Sequence, residues 1–478
     1  MSDLSLGRPT VLLLAGRALS YALGFATTVI IARLLGATDL GAFAYPMGFV
    51  ALFALLPNLG ISTIVTRTIA RDPASGVGVF RTALLAQSLL AAGVFILILS
   101  VGALLPAQPV PLSYIALAAA QFAIGTLSWP YLAALAGWAR YDRVAVAEVA
   151  ASAIGNVSML TVAAFHGGVP AFLWAQVIAV CGAVLASRQA AISLLRCQET
   201  PRVPLATLFR EATPLASSTA IQSLYTRLDI VMLGQFSPGA AVGLYSVAYK
   251  PVNMAVFFGA TIGGAILPVM AQTRQGEMPA AFARAMRALG VAAPAMALTA
   301  TGLAEPLLRL LFGSEYAPAA PILGILAWSA AANWLYTPLA ISLQARGQER
   351  YWLVALLAGL CLNAAGNLWA IPKWGGVGAA TATLVSEVAL LGLGAFFMRR
   401  QLSISPHWRA VAPLLCAATV GACCLGTLRL FAFGPVIATL AALCLYGILL
   451  VGLSVIRRED MAMIAGWTRQ AVFGETRA

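Results

Sequence analysis

Apolar runs of membrane-spanning length recur along almost the whole 478-residue chain, and no other feature restricts its fold so tightly. About 20 apolar residues cross the hydrocarbon core of a bilayer. In that core every backbone N–H and C=O needs an internal partner, which favours helices. Only 9% of the residues are charged, 61% are hydrophobic and the mean hydropathy is +0.90. A soluble domain carries roughly 25% charged residues, so most of this surface meets lipid. The expected fold class is an all-α polytopic membrane protein of about fourteen transmembrane helices. The spans are read at 11–35, 41–66, 82–105, 113–138, 145–165, 171–195, 209–235, 241–270, 286–304, 319–343, 351–371, 376–398, 410–429 and 434–456. The first, Val11 to Leu35, is too long for the apolar region of a signal peptide.

Charge patterning orients these spans. The net charge is +13, and all but Lys250 and Lys373 of the basic residues are Arg. Twenty-two of the 29 basic residues fall in or near alternate gaps, starting with the N-terminus, and four in or near the opposite gaps. Positive loops mark the cytoplasmic side, so both termini are expected there. No basic stripe interleaved with exposed aromatics appears, which argues against nucleic acid as a partner. The stretch from Arg457 to Phe473 mixes Arg with Met461, Ile464 and Trp467 and suits an amphipathic surface helix.

The gaps on the opposite side are short, such as Gly36–Leu40 and His166–Pro170. They leave no room for a soluble domain, so the work is done within the membrane. An internal repeat is visible. Gly-Gly-Val-Pro-Ala at 167–171 recurs as Gly-Gly-Val-Gly-Ala at 375–379, and Gly41-Ala42-Phe43 as Gly243-Leu244-Tyr245. The offsets, 208 and 202 residues, carry six spans onto six spans in the same orientation. A parallel repeat implies two lobes about an axis along the membrane normal, with a central cavity. The expected domains are an N-terminal lobe at 1–200, a C-terminal lobe at 201–405, and a last helix pair with a cytoplasmic tail at 406–478.

Catalytic and metal chemistry find little support. The seven Cys lack metal or disulfide spacing, and the six inside apolar runs read as buried thiols acting as small hydrophobes. The two His, His166 and His407, lie near loops. No catalytic residue and no cofactor is assigned. Trp129, Trp174, Trp328, Trp334, Trp352 and Trp369 lie toward span ends and read as interfacial anchors. Pro46, Pro57, Pro251, Pro268 and Pro338 mark bends.

Several separated strings carry a family resemblance: ARLLGATDLGAFAY at 32–45, GQFSPGAAVGLYSVAY at 234–249, LLFGSEYAPAAPILGIL at 310–326 and NAAGNLWAIPKWGGVGAATATLVSE at 363–387. Together they resemble the polysaccharide flippase family of the MOP transporter superfamily, over nearly the whole chain. The resemblance implies two six-helix lobes plus a final pair. It also implies a substrate, an oligosaccharide on undecaprenyl pyrophosphate, moved from the cytoplasmic to the periplasmic leaflet of a bacterial inner membrane. Such a protein serves cell-surface polysaccharide synthesis (O-antigen of lipopolysaccharide, capsule or exopolysaccharide). Its partners would be the lipid-linked oligosaccharide, membrane lipids, and polysaccharide polymerase and chain-length machinery.

Ionisable side chains at membrane depth cost about 2.5–3.5 kcal/mol on insertion scales and mark functional sites. Arg17, Arg227 and Lys250 are candidates for binding pyrophosphate, with forked and point-charge donors suited to phosphate oxygens. Arg17 is similar in place to a first-span Arg of the related lipid II flippases. The competing readings are that Arg17 snorkels to the interface and that Arg227 neutralises Asp229. Asp229, Asn363, Asn367 and Thr383 resemble the sodium site of those flippases, with Asn367 where they carry Asp; the lost charge weakens the match. Asn363 and Asn367, spaced i, i+4, share a helix face and equally suit hydrogen bonding between helices. Glu387 is a candidate proton-coupling group, or a partner of Lys250. The coupling ion would be Na+ or H+; no other metal is expected.

Two rivals belong to the same superfamily: a cation-coupled multidrug exporter and a lipid II flippase. Three basic against two acidic in-span charges favour an anionic substrate over organic cations. A membrane glycosyltransferase or polymerase needs a large outer loop, which this chain lacks.

Overall fold

The computed structural model describes residues 7–54, 56–57, 60–73, 76–105, 109–195, 224–237, 239–272, 278–402, 408–453 and 455. Among these the chain is helical throughout, without strands. The helices are α1 (Gly7–Ala51), α2 (Ile61–Arg71), α3 (Gly76–Leu104), α4 (Leu112–Thr126), α5 (Trp129–Gly137), α6 (Tyr141–Ala164) and α7 (Val169–Leu195). They continue as α8 (Leu228–Phe236), α9 (Ala240–Gln272), α10 (Met278–Gly302), α11 (Ala304–Phe312), α12 (Ala320–Ala345), α13 (Glu349–Leu402), α14 (Trp408–Leu430) and α15 (Pro435–Gly452). Nine membrane-length apolar segments stand among the described residues, or ten if the pair Ala285–Gly302 and Ala304–Phe312, bent by 64°, is one span. The expected all-α polytopic fold is thereby met. The tail from Arg457, the first half of the seventh span and the side chain of Arg17 lie outside the described residues.

Two helices are too long to be single spans. At 1.5 Å per residue the 54 residues of α13 would reach about 80 Å, against a core of about 30 Å. Gly375 breaks it, with φ 54° and ψ −129°. Gly36 breaks α1 in the same way, with φ 71° and ψ 175°. Both conformations are natural to glycine and strained for residues with a Cβ. The expected second span is α1 beyond Gly36 plus α2, joined through a turn at Gly60; the fourth is α4 plus α5. The ninth span continues through Pro294.

The chain divides into two compact units. The first comprises Met1–Lys250, Leu311–Tyr316 and Asn363–Ala379; the second comprises Pro251–Leu310, Ala317–Leu362 and Ala380–Ala478. In the first, α6 packs along α1 and α7, and a core of Ile61, Ile69, Phe80, Leu135 and their neighbours joins α2, α3 and α5. In the second, α10 packs on α12, and α15 packs on α14 around Leu298, Ala417 and Tyr446. Large apolar side chains stay exposed along the helices, among them Leu89, Ile96, Val157, Ile178 and Ile448. In water such a surface would associate; on membrane-length helices it is the lipid contact.

Two sequence readings are corrected. Cys181, Cys361, Cys416, Cys423 and Cys444 are exposed, so these thiols sit on the outer helix faces and not in the core. Outward apolar positions in a membrane protein follow the same hydropathy as inward ones, so composition alone does not separate them. Trp334 and Trp352 are buried. Trp334 donates its indole N–H to the Ala255 carbonyl at 2.8 Å, and Trp352 packs on Tyr336. These two rings fill the second unit and are not interfacial anchors. Trp369 and Trp174 are exposed, with the Lys373 ammonium 4.0 Å from the Trp369 ring centroid.

Candidate functional site

Asp229 organises the site. It lies in the first turn of α8, where orphan backbone N–H groups and the helix dipole favour a carboxylate. The side chain is only 2% exposed. One oxygen accepts the Ile230 N–H at 2.8 Å, and the other accepts the phenol of Tyr245 on α9. Burying a carboxylate is tolerable only with such partners. Tyr245 is fully buried beside Tyr249 and was not singled out in the sequence, although it stands in the repeated Gly243-Leu244-Tyr245 string.

Arg227 and Lys250 lie on the same unit as Asp229 but are exposed where it is buried. Arg227 immediately precedes α8 with non-helical backbone (φ −127°, ψ −14°), and its side chain is exposed, as is that of Lys250 on α9. Among the described residues neither is in an ion pair; the salt bridges there join Arg140 to Asp142 and Arg309 to Glu305. Arg227 does not bond Asp229, but it lies close enough for its charge to act on both Asp229 and Lys250. Two like charges are thus brought together on the first unit.

Asn363 and Asn367, on α13, belong to this unit as well. They are 1% and 0% exposed, and Asn367 donates to the Asn363 carbonyl oxygen at 2.9 Å. The i, i+4 face expected from the sequence is therefore real. The Asn367 carbonyl oxygen is buried and has no hydrogen-bond partner among the described residues. Thr383 and Glu387 follow on the same helix in the second unit, only 4% and 7% exposed, and the Ser386 hydroxyl donates to the Thr383 carbonyl at 2.8 Å. No group of three or more His, Cys, Asp or Glu able to hold a metal occurs among the described residues.

The break at Gly36 has its own polar closure. A helix ending there leaves unpaired carbonyls before it and unpaired N–H groups after it. The Glu315 carboxylate accepts the Ala37 N–H at 2.7 Å, and the Tyr316 hydroxyl donates to the Ala32 carbonyl at 2.7 Å. Arg33 in turn donates to the Leu311 carbonyl at 2.7 Å. Leu311–Tyr316 therefore caps both sides of the break, which explains why it belongs to the first unit.

Comparison with known proteins gives this arrangement its relatives. A family profile described as "Polysaccharide biosynthesis protein" matches residues 6–274, more than half of the chain, and a MatE profile matches 214–369. The chain is 25% identical over 203 residues to a Haloferax volcanii protein described as a probable low-salt glycan biosynthesis flippase, Agl15, covering 40% of this chain and 43% of that one. It is 26% identical over 157 residues to the Bacillus subtilis teichuronic acid biosynthesis protein TuaB, covering 31% and 32%. The matched stretch thus spans less than half the length of either relative. The fold is similar to that of the lipid II flippase MurJ in an inward closed conformation, with TM-score 0.67 and 12% identity over 92% of this chain and 98% of that one. It is also similar to an inward-facing multidrug resistance MATE family transporter of the MOP superfamily, with TM-score 0.64 and 15% identity over 80% and 94%. At such identities the likeness concerns the fold alone. The matched length and the helical architecture agree: the chain belongs to the polysaccharide biosynthesis protein family.

Proposed function

We propose that this protein is a flippase that carries an undecaprenyl-pyrophosphate-linked oligosaccharide from the cytoplasmic to the periplasmic leaflet of a bacterial inner membrane, with both termini cytoplasmic. The observation that carries the reading is the pair Arg227 and Lys250, exposed and outside any ion pair among the described residues. Cations at membrane depth are costly and call for an anionic partner or a wet path. A pyrophosphate head supplies that partner. Arg17, on α1, joins them as the third phosphate-binding cation. The Agl15 and TuaB relatives, named for glycan synthesis, support a glycan as cargo.

Transport of this kind needs no covalent step. The protein offers cations to the phosphate and polar groups to the sugar, while the polyprenyl tail stays in lipid. Outward movement of about two negative charges is favoured by an inside-negative potential, by about 2.3 kcal/mol per charge per 100 mV. The two halves implied by the repeat would open in alternation. The delivered glycan would then pass to a polymerase with its chain-length machinery, as for O-antigen, capsule or exopolysaccharide.

Asp229, Asn363, Asn367 and Thr383 are the proposed coupling-ion residues, with Glu387 as a protonatable group. The buried, unpartnered Asn367 oxygen supports this part of the reading: hard oxygen donors suit a small alkali cation. The same feature suits a cation-coupled exporter, whereas the exposed cations favour an anionic cargo.

Deletion of the gene followed by lipid analysis tests the proposal. Undecaprenyl-linked oligosaccharide should accumulate in the inner leaflet, and its sugar composition would name the glycan. A lipid pool unchanged by the deletion would reject it.

A further inference from the structure

A groove of about 550 Å3 opens on the first unit, well away in sequence from the residues discussed above. Its volume lies within the roughly 300–1,000 Å3 typical of small-molecule sites. Three helix faces build it. The first is α2, whose apolar stripe, Ile61, Ile64, Val65 and Ile69, is buried in the core. Its opposite face, Ser62, Thr63, Thr66 and Arg67, is left to line the groove. Thr66 is anchored by a 3.0 Å bond to the Ala133 carbonyl, which fixes α2 against α5. The second face is α5, which opens with Trp129 at the groove wall. The third is α6, which contributes Tyr141 and, two turns on, Glu148. Within one cavity stand two aromatic rings, a guanidinium, a carboxylate and hydroxyls. Arg67 is exposed, and Trp129 and Tyr141 are partly so.

Each part has a chemical meaning. An indole or phenol ring is a flat apolar surface with a polar tip. It suits the C–H face of a pyranose. Arg supplies donors in a planar fork and Glu supplies acceptors, the pair needed for adjacent sugar hydroxyls. A lipid tail would have no use for the charged groups, and a bare phosphate none for the rings or the carboxylate. The helix carrying Arg67 ends at Arg71 beside the Arg-rich gap at 67–81, on the side that the charge asymmetry makes cytoplasmic. That is where a lipid-linked glycan is assembled under the reading proposed above.

The geometry points to this groove as a carbohydrate subsite that recognises the sugar of the lipid-linked glycan on the cytoplasmic side. Trp129 and Tyr141 act as the platform, and Arg67 and Glu148 bond the hydroxyls. The inference rests on the flippase proposal and deepens it: the pyrophosphate is held by Arg17, Arg227 and Lys250, the sugar by α2, α5 and α6.

The test uses the full chain in lipid nanodiscs and two probes. One is the lipid-linked oligosaccharide extracted from a strain deleted for this protein; the other is undecaprenyl pyrophosphate without sugar. Trp129→Ala and Glu148→Gln should each weaken binding of the first about ten-fold or more, a loss near 1.4 kcal/mol, and leave the second unchanged. Trp129→Phe, which keeps a ring, should retain most of the affinity and shows that the site is still folded. Unchanged affinity of Trp129→Ala and Glu148→Gln for the glycosylated lipid overturns the subsite while the flippase reading stands. Equal loss for both probes also overturns it, since the groove would then not distinguish sugar. A wild-type chain that binds neither probe overturns the flippase reading and the subsite with it.

Discussion

Gly41 and Gly243, equivalent positions of the internal repeat, meet in the structure. A Cβ on Gly41 would lie 3.0 Å from the Gly243 nitrogen and would overlap the Gly239 carbonyl, and a Cβ on Gly243 would overlap the carbonyl of Ala37. The first turns of the two repeated segments thus approach backbone to backbone, and only a residue without a side chain permits it. Gly36, five residues before Gly41, and Gly239, four residues before Gly243, both take positive φ, 71° and 78°. The two glycines that the sequence strings align thus stand at one close backbone contact.

Gly243→Ala should therefore destabilise the protein by about 1–3 kcal/mol, the usual cost of overpacking. Its neighbour here is backbone, which has less room to yield than a side chain. Gly93→Ala and Gly24→Ala, at helix positions where a Cβ meets nothing within 4 Å, should be neutral or slightly stabilising. Thermal unfolding in detergent compares the three variants.

Tyr316→Phe should cost about 1–3 kcal/mol, because the Ala32 carbonyl loses its donor in a buried place. Glu315→Ala removes the cap on Ala37 and should cost about 0.5–2 kcal/mol, as other helix caps do. The two acceptor and donor groups lie on opposite sides of one helix break, so the double variant should show coupling. A double-mutant cycle on the unfolding midpoint measures it.

Much of this was legible in the sequence, for identifiable reasons. Hydropathy and span length set the helices, and Gly36 and Gly375 punctuate them as turns because few other residues tolerate that backbone. The i, i+4 pair Asn363 and Asn367 was readable from helix period alone. What stayed hidden depends on long-range contact. Nothing local tells that Tyr245 reaches Asp229, that Glu315 and Tyr316 cap a helix 278 and 284 residues earlier, or that α2 turns Arg67 toward Trp129. Nor does hydropathy separate Trp334, which fills a core, from Trp174, which faces outward.

Asn367→Asp would add a negative charge beside Asn363. If these residues bind a coupling cation, the variant should gain a sodium-dependent rise in melting temperature larger than that of the wild type, since added ligand charge strengthens cation binding. Melting curves in sodium and in choline chloride at equal ionic strength give the comparison. Asp229→Ala should abolish the sodium response in both backgrounds.

Tyr245→Phe keeps the ring and removes the donor from the Asp229 carboxylate. Loss of a buried bond to a charged group should cost about 1.5–3 kcal/mol. It should also alter the dependence of transport on the ion gradient more than Tyr249→Phe does. Transport rates measured with and without an imposed gradient separate the two variants.

The most direct measurement is flipping by the purified chain in liposomes. The substrate is the lipid-linked oligosaccharide recovered from the deletion strain, and outer-leaflet exposure is read by a membrane-impermeant glycan-modifying enzyme. The wild type should move the lipid across the bilayer. Arg227→Ala and Lys250→Ala should each slow this by roughly ten-fold or more, as expected for loss of a charge-assisted phosphate contact worth about 1.5–3 kcal/mol, with folding unchanged. Full activity in the double variant, or no movement by the wild type, would contradict the account.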